Sequence, residues 1–324
     1  MANIEKHGRG LTPDPDRNAR ELAWWETNGA LMASVWDYDD LLSRAVRQDY
    51  LNRAKAFLLG GRPGTVLEPG CGSGGIGRLI AGPDCRVTGL DWSRTMLDLA
   101  RKQAGERGLD AHTQYLDAAG ADLDALLQQA DGVLIHAFLH HLDAPELAAY
   151  LERLRRGLRP GARVWIYEPT FYSQPPAAPV ASPRAELQLA LAQGLLGALK
   201  QHFAQRGLLN TATYDALVEL FRQANENGCY LSPKEVPFDI GEFGAQLAEN
   251  FTVSGGYWST ISMYAWVLEP HIITDAELRR AAIKTVMPAL IQADAALAQD
   301  PDYLRATLVR PNHAFHVWEC AVPA

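Results

Sequence analysis

The sequence predicts an α/β fold with a mostly parallel sheet, and the order of the segments between residues 64 and 168 is the main reason. Short apolar runs alternate there with amphipathic segments and short links. This alternation is typical of a sheet covered by helices on both faces. A glycine-rich loop, "EPGCGSGG", follows the first apolar run directly. Hydrophobic residues make up 48% of the 324 residues, which is enough for a sizeable core.

Each predicted strand and helix in this part has a local signal. The strand segments are, in order, "TVLE", "RVTGLD", "HTQYLD", "GVLIHA" and "RVWIYE". We expect Ser93 to cap the helix after the second strand and Gly108 to end it. Asp143 and Glu146 have the spacing of a capping box, which predicts that the helix before the fifth strand begins there.

Acidic side chains end most of the predicted strands. The five strand ends carry Glu68, Asp91, Asp117, His136 and Glu168. Ligands of such sheets bind outside the carboxyl ends of the strands. The glycines Gly72, Gly74 and Gly77 match the pattern of dinucleotide-binding folds. An acidic rim, however, fits a cationic, hydroxyl-rich ligand better than the pyrophosphate of a dinucleotide.

The stretch "VLEPGCGSG" resembles motif I of the class I S-adenosylmethionine-dependent methyltransferases, in which an acid precedes three alternating glycines. "VTGLDWS" and "YLDAAGAD" resemble the next two motifs, and "VWDYDD" resembles the Tyr-Asp segment upstream of motif I. The detailed resemblance covers about residues 35–168. It implies a Rossmann-like sheet of seven strands, mostly parallel with the last strand antiparallel. "ENFTVSGGYWST" and residues 312–322 are the expected sixth and seventh strands.

The resemblance implies that S-adenosylmethionine is the cofactor. Glu68 would lie near its methionine part, and Asp91 would accept hydrogen bonds from both ribose hydroxyls. Trp92 would pack on the adenine, and Asp117 would meet the adenine amino group. The implied cofactor-binding residues are Tyr38, Glu68, Gly70, Cys71, Gly72, Gly74, Asp91, Trp92, Asp117, Ala118 and His136. NAD is the alternative cofactor, and Glu68 and Asp117 argue against it.

Four regions are expected along the chain. Residues 1–60 form a helical lid, and residues 61–170 form the cofactor-binding half of the Rossmann-like domain. Residues 171–238 form a helical insertion that roofs the substrate pocket, and residues 239–324 complete the domain. Two alternatives stay open: the lid as a plain cover of the sheet edge, and the insertion as a dimerisation element.

Methyl transfer needs an acceptor that is held in line with the sulfonium, and a base only if the acceptor must lose a proton. His141 is the first candidate to orient or deprotonate the acceptor, followed by Glu168 and His140. Helix capping or loop packing by the histidines stays an alternative, as does a mechanism without a protein base. No metal is expected, and a metal site built from the two histidines stays only a weaker alternative, because no third ligand is evident.

These features together predict a cytoplasmic methyltransferase that acts on an oxygen, nitrogen, sulfur or carbon atom of a small molecule. The formal net charge of -8 gives no general attraction to nucleic acid or anionic membrane. Neither a signal-peptide core nor an apolar run long enough to cross a membrane is evident. Four cysteines without metal-site spacing are expected to be reduced thiols. The alternatives are an RNA or protein methyltransferase, an NAD-dependent oxidoreductase and a non-methylating relative, and a homodimer stays open.

Overall fold

The computed structural model describes residues 15–35, 41–171, 232–259 and 314–324, together with scattered residues between 194 and 223 and residues 277 and 281. Two helices, α1 (Pro15–Val35) and α2 (Leu41–Leu59), precede the first strand. Most of the predicted insertion therefore lies outside the described residues.

The remaining elements follow the predicted order. The strands are β1 (Gly64–Pro69), β2 (Cys85–Asp91), β3 (Thr113–Asp117), β4 (Gly132–His136), β5 (Arg163–Phe171), β6 (Phe238–Asp239), β7 (Thr252–Ser259) and β8 (Ala314–Ala321). The helices after α2 are α3 (Gly75–Ile80), α4 (Arg94–Glu106), α5 (Leu123–Gln129), α6 (Ala144–Gly157) and α7 (Ile240–Asn250). A single 3-10 turn, Leu139–His141, links β4 to α6.

The strands form one sheet in the order β3-β2-β1-β4-β5-β8-β7. The first five strands are parallel to one another, whereas β8 runs antiparallel to both β5 and β7. This confirms the predicted seven-stranded sheet in which the last strand of the chain, β8, is antiparallel. A further short strand, β6, pairs with the end of β5 and was not predicted, because two residues carry no recognisable period. The strand order reverses between β1 and β4, which is where such sheets bind ligands.

Alternating side chains of the central strands supply a core on each face of the sheet. On one face, Val66, Leu134 and Trp165 pack with residues of α2 and α3. On the other face, Leu67 and Val133 pack with residues of α5, α6 and α7. Both faces are therefore covered, as the alternation of strands and helices predicts. Among the described helices, none has the length and the apolar character needed to cross a membrane.

The predicted ends of helices α4 and α6 are confirmed. The Ser93 hydroxyl accepts a hydrogen bond from the Met96 amide at the start of α4. Asp143 and Glu146 form the reciprocal capping box of α6. Gly108, just beyond α4, has a φ of 65°, in the left-handed region that glycine adopts without strain.

Candidate functional site

A cavity of about 310 Å³ opens at the carboxyl ends of β1, β2 and β4. The sequence-predicted residues in its wall are Glu68, Gly70, Cys71, Gly72, Asp91, Trp92, Ala118, His136 and His141. They come from four strand ends and the loops that follow, so the strand-end rule locates this site. Other parts of the wall come from α1, α4, the segment after β4 and α6. These residues include Trp25, Ala33, Met96, Phe138, Leu142, Tyr150 and Arg153.

The glycine loop curves round one end of the cavity. Gly70 and Gly72 have φ angles of 64° and 53°, so both occupy the left-handed region. The Gly72 amide donates a hydrogen bond to Oδ2 of Asp91 at 2.9 Å, which ties the loop to the end of β2. The Cys71 thiol is buried in the same loop, and burial raises its pKa well above the ordinary value. Cys71 is therefore a neutral wall residue.

Asp91 is held by backbone donors on both oxygens. Besides the Gly72 bond, its Oδ1 accepts from the Ser93 amide at 2.9 Å. Burial raises the pKa of Asp91, and the two amide bonds act in the opposite direction. Each carboxylate oxygen can accept more than one hydrogen bond, so both retain capacity toward a ligand hydroxyl. The next residue, Trp92, is 39% exposed in spite of its size, and it offers a ring at the rim of the cavity.

Glu68 is the most unusual acid in the wall. Its side chain is 2% exposed, Oε1 accepts from the Gly77 amide at 3.1 Å, and Oε2 has no hydrogen-bond partner among the described residues. Burial raises the pKa of Glu68 to about 8, against the opposing effects of the Gly77 amide and the charge of Arg78. A buried carboxyl oxygen without a partner is costly, so a ligand with a cationic donor would complete this site.

His141 also lines the cavity. Its Nδ1 is 2.9 Å from Oε1 of Glu21 and 3.4 Å from Oγ of Ser232. The Trp25 ring meets the imidazole edge to face at 5.8 Å. Three distant parts of the chain, namely helix α1, the 3-10 turn and the segment before β6, therefore fix the orientation of this imidazole.

Glu21 joins these parts by a set of long-range hydrogen bonds. It is fully buried in α1, and its oxygens accept from the Ser232 hydroxyl at 2.6 Å and the Lys234 amide at 2.7 Å. Burial alone would raise the pKa of Glu21, but the bonds and charge of His141, together with those two donors, lower it to about 2. Glu21 is therefore a carboxylate inside the protein.

The structure corrects the expected positions of His140 and Glu168, which lie behind the cavity wall. Glu168 is fully buried, and its Oε1 accepts from the amides of Phe138 and Leu139. Its Oε2 is 2.6 Å from Nδ1 of His140, whose Nε2 is 3.1 Å from Glu235. Burial would lower the pKa of His140, but Glu168 and Glu235 raise it to about 9. Both side chains are occupied by protein partners and do not project toward an acceptor.

Two further predicted residues lie outside the cavity wall, and a third lies outside the described residues. Asp117 does not line the cavity, and its Oδ1 accepts from the Ala119 amide at 2.9 Å. Gly74 is also outside the wall, where a Cβ would lie 2.5 Å from the Tyr115 hydroxyl oxygen, so packing within the protein requires this glycine. Tyr38 lies outside the described residues.

Sequence reasoning missed the acidic partners of the histidines. Glu21, Ser232 and Glu235 come from segments whose patterns indicate only helix or loop. One local signal existed, since Glu21 is an acid next to the apolar "LAWW" of α1. Its partner could not be found from that signal, because 120 residues separate Glu21 from His141.

The cavity fits the expected S-adenosylmethionine. The unpartnered Oε2 of buried Glu68 suits the cofactor's ammonium group, and the Asp91 carboxylate suits a pair of ribose hydroxyls. A dinucleotide would bring its pyrophosphate to the start of α3, beside the buried Glu68 carboxyl, where the phosphate charge would further oppose the ionisation of that carboxyl. The chemistry of the wall therefore favours a cationic ligand over NAD.

Comparison with known proteins adds independent information. Residues 66–161 match the family model described as "Methyltransferase domain". A ubiquinone biosynthesis O-methyltransferase of Aeromonas salmonicida (strain A449) is 29% identical over 161 residues, which are 48% of this chain and 64% of that protein. The enzyme of the same name from Alkalilimnicola ehrlichii is 31% identical over 148 residues, which are 45% of this chain and 55% of that protein.

Other comparisons concern a third curated protein and the fold. An O-methyltransferase of Penicillium expansum, cnsE, is 32% identical over 126 residues, which are 38% of this chain and 44% of that protein. The chain thus spans less than two thirds of the length of these relatives. Among solved structures, the cyclopropane synthase MmaA2 from Mycobacterium tuberculosis superposes with a TM-score of 0.53 at 18% identity, over 96% of this chain and 99% of the other.

The matched family, the sheet order and the cavity agree with one another. The [4+2]-cyclase SpnF also superposes with a TM-score of 0.53, at 16% identity and over 97% of this chain and 98% of that one, which supports the same fold. The family match begins in β1 and ends just before β5, so it includes the glycine loop, Asp91 and the histidine turn. The chain therefore carries a class I S-adenosylmethionine-dependent methyltransferase domain.

Proposed function

We propose that the protein transfers a methyl group from S-adenosylmethionine to a hydroxyl oxygen of a small molecule. The observation that carries this proposal is that one cavity is lined by both kinds of group. The carboxyls of Glu68 and Asp91 and the imidazole of His141 all belong to its wall. The curated relatives from Aeromonas and Penicillium are named O-methyltransferases, which supports oxygen as the nucleophile.

On the cofactor side, the chain's own residues bind and orient. S-adenosylmethionine supplies an electrophilic methyl group on its sulfonium. In this proposal Glu68 accepts a hydrogen bond from the α-ammonium group, and Asp91 accepts from the ribose hydroxyls. Trp92 covers the adenine, since its ring is already exposed at the rim. The turn at Gly70 and Gly72 keeps side chains out of the space that the methionine part needs.

On the acceptor side, His141 orients the hydroxyl and takes its proton. Its hydrogen bonds in the described part of the chain all use Nδ1, toward Glu21 and Ser232. We assign Nε2 to the acceptor for that reason. The leaving thioether is neutral and needs no acid, so proximity and alignment supply most of the acceleration. The hydroxyl proton moves to the imidazole as the new C–O bond forms.

The acceptor is a small molecule rather than RNA or protein. A cavity of about 310 Å³ lies at the lower end of the size range of small-ligand pockets. Trp25 and Ala33 of α1 form part of its wall, so the site is covered on one side by the predicted lid. The net charge of -8 also opposes binding to a polyanion.

The first experiment measures which cofactor binds. Titration calorimetry should give micromolar binding of S-adenosylmethionine and S-adenosylhomocysteine and no binding of NADH. Asp91→Asn should weaken that binding, whereas Asp98→Asn, an exposed acid on α4 that pairs with Arg101, should not. Micromolar binding of NADH with none of the two sulfur cofactors would overturn the proposal.

The second experiment identifies the acceptor class. Transfer of labelled methyl from S-adenosylmethionine is measured with phenols, catechols, aliphatic alcohols, amines, total RNA and a protein lysate as acceptors. Label should appear as a methyl ether of a small hydroxyl compound, identified by mass spectrometry. Label on amines, RNA or protein alone would leave the cofactor assignment standing but contradict the hydroxyl acceptor.

A further inference from the structure

His141 in the cavity wall and the residues His140 and Glu235 behind it bring one ligand atom each to within 4.8 Å of one another. Two of these atoms, Nε2 of His140 and Oε1 of Glu235, are 3.1 Å apart. Ligands of a tetrahedral zinc ion, with bonds of about 2.0–2.1 Å, are separated by about 3.3 Å. The histidine pair is contiguous in the chain, and Glu235 comes from the segment before β6.

His140 is arranged as a metal-binding histidine usually is. Its Nδ1 is 2.6 Å from the buried carboxylate of Glu168, and its Nε2 faces the acidic oxygen of Glu235. A carboxylate on one ring nitrogen fixes the tautomer and orientation that let the other nitrogen bind a metal. Glu168 in turn is held by two backbone amides, so this orientation is rigid.

The local charge also favours a cation. Glu21, Glu168 and Glu235 are all buried, and within the described residues none of the three forms an ion pair with a lysine or an arginine. The ammonium group of the adjacent Lys234 is bonded to Glu146 and Asn18 instead. The basic side chains that face the three acids are thus the two imidazoles, and burying unbalanced carboxylates is costly.

The donors differ among the three acids. Glu21 and Glu168 each accept several hydrogen bonds from backbone and side-chain groups. Glu235 accepts from the Ser232 amide on Oε2, and among the described residues its Oε1 meets Nε2 of His140 alone. The space between Oε1 of Glu235 and Nε2 of His140 holds either one proton or one metal ion, and an ion brings the additional positive charge.

We propose that His140, His141 and Glu235 bind a divalent metal ion of the zinc class. Two imidazole nitrogens and one carboxylate oxygen are the ligand set of many three-ligand zinc sites, which keep a fourth position for water or substrate. His141 also lines the cavity. The ion therefore belongs to the acceptor-side wall, by which we mean the part of the cavity wall around His141. An imidazole that binds an ion through one nitrogen carries its proton on the other, so the metal-bound His141 and the His141 that takes a proton are two alternative states of the site.

This site also changes the role of the segment before β6. Ser232 and Glu235 would fasten that segment to the histidine turn through the metal as well as through hydrogen bonds. Metal binding would then stabilise the acceptor-side wall whether or not a methyl group is transferred. The proposal therefore does not depend on the methyl acceptor, and it can be tested without an activity assay.

The test is equilibrium dialysis of the full chain against zinc chloride, followed by metal analysis, with the thermal midpoint as a second readout. Wild type should bind about one equivalent, and zinc should raise the midpoint until a chelator is added. Glu235→Gln and His141→Ala should lower zinc affinity by at least about 100-fold, and Glu168→Gln by about 10–100-fold. Glu146→Gln, a neighbouring acid outside the ligand set, should bind as wild type does.

Two outcomes would overturn the proposal. Wild type that takes up no stoichiometric zinc and shows no zinc-dependent midpoint would mean that a protonated His140 bridges Glu168 and Glu235. Saturable zinc binding that survives both Glu235→Gln and His141→Ala would place the ion elsewhere. Circular dichroism of each variant checks that the fold is intact, and Glu235→Gln keeps the size and hydrogen-bonding shape of the side chain if His141→Ala does not fold.

Discussion

Replacing Glu68 by Gln tests the electrostatics of the proposed cofactor wall, which is the part of the cavity formed by Glu68, the glycine loop, Asp91 and Trp92. Burial raises the pKa of this carboxyl from 4.5 to about 8 in the folded protein. The folded state therefore keeps a proton that the unfolded chain has already lost, and wild type becomes less stable as the pH rises from about 4.5 to about 8. Glu68→Gln removes the titrating group but keeps an oxygen for the Gly77 amide.

The magnitude follows from linkage. One pKa unit of difference between the folded and unfolded states is worth about 1.4 kcal/mol. Between about pH 5 and about pH 7.5, wild type should lose about 3 kcal/mol of unfolding free energy relative to Glu68→Gln. Urea unfolding, followed by tryptophan fluorescence without cofactor at several pH values, measures this difference.

The matched control for this experiment is Asp124→Asn. Asp124 is an exposed acid whose hydrogen bond from Arg153 lowers its pKa, so it stabilises the protein as the pH rises above its unfolded value. The wild-type advantage over Asp124→Asn should therefore be lost at low pH, opposite in sign to the Glu68 effect. A difference between wild type and Glu68→Gln that is flat or increases with pH would refute the reasoning. Saturating S-adenosylmethionine should reduce the Glu68 effect, because a nearby cation favours the ionised carboxyl.

Three further variants test other parts of the site. Asp91→Asn should lower cofactor affinity about 10–100-fold in calorimetry, since charge-assisted hydrogen bonds are worth about 1.5–3 kcal/mol; unchanged affinity would remove Asp91 from the site. His141→Ala should lower turnover by about 10²–10⁴-fold at unchanged cofactor affinity, and a parallel loss of both would contradict its acceptor-side position. Gly74→Ala should lower the unfolding free energy by about 2–4 kcal/mol, because Gly74 has a φ of 70° and a Cβ would lie 2.5 Å from the Tyr115 hydroxyl oxygen. A variant as stable as wild type in urea would show that the loop relaxes around the methyl group.

The cofactor wall could be predicted from the sequence because its information is local. Glu68 precedes the glycine loop by two residues, and Asp91 ends a strand that pairs with β1 in register. Parallel strands place their carboxyl ends at the same edge of the sheet, so a residue that ends such a strand must lie at that edge. Helix ends were predictable for the same reason, since a cap acts on amides two or three residues away.

The two adjacent histidines show why the rest could not be predicted. They lie in a 3-10 turn, where successive side chains are rotated by about 120°, so one lies behind the wall and the other lines the cavity. A sequence pattern cannot assign which histidine takes which position. The choice depends on Glu168, Glu235 and Glu21, which reach the turn from 28, 95 and 120 residues away.

The family match covers the residues of the proposed cofactor wall but not all the residues that hold the two histidines. Residues 66–161, which match the family, contain the glycine loop, Asp91 and the histidine turn. Glu21 and the segment from Ser232 to Glu235, which hold His141 and His140 in place, lie outside that range. The residues of the proposed cofactor wall therefore lie within the matched range, while the contacts that hold the two histidines come from parts of the chain that the match does not include. It follows that acceptor identity should respond to changes in α1 and in the segment before β6 more than to changes in the glycine loop.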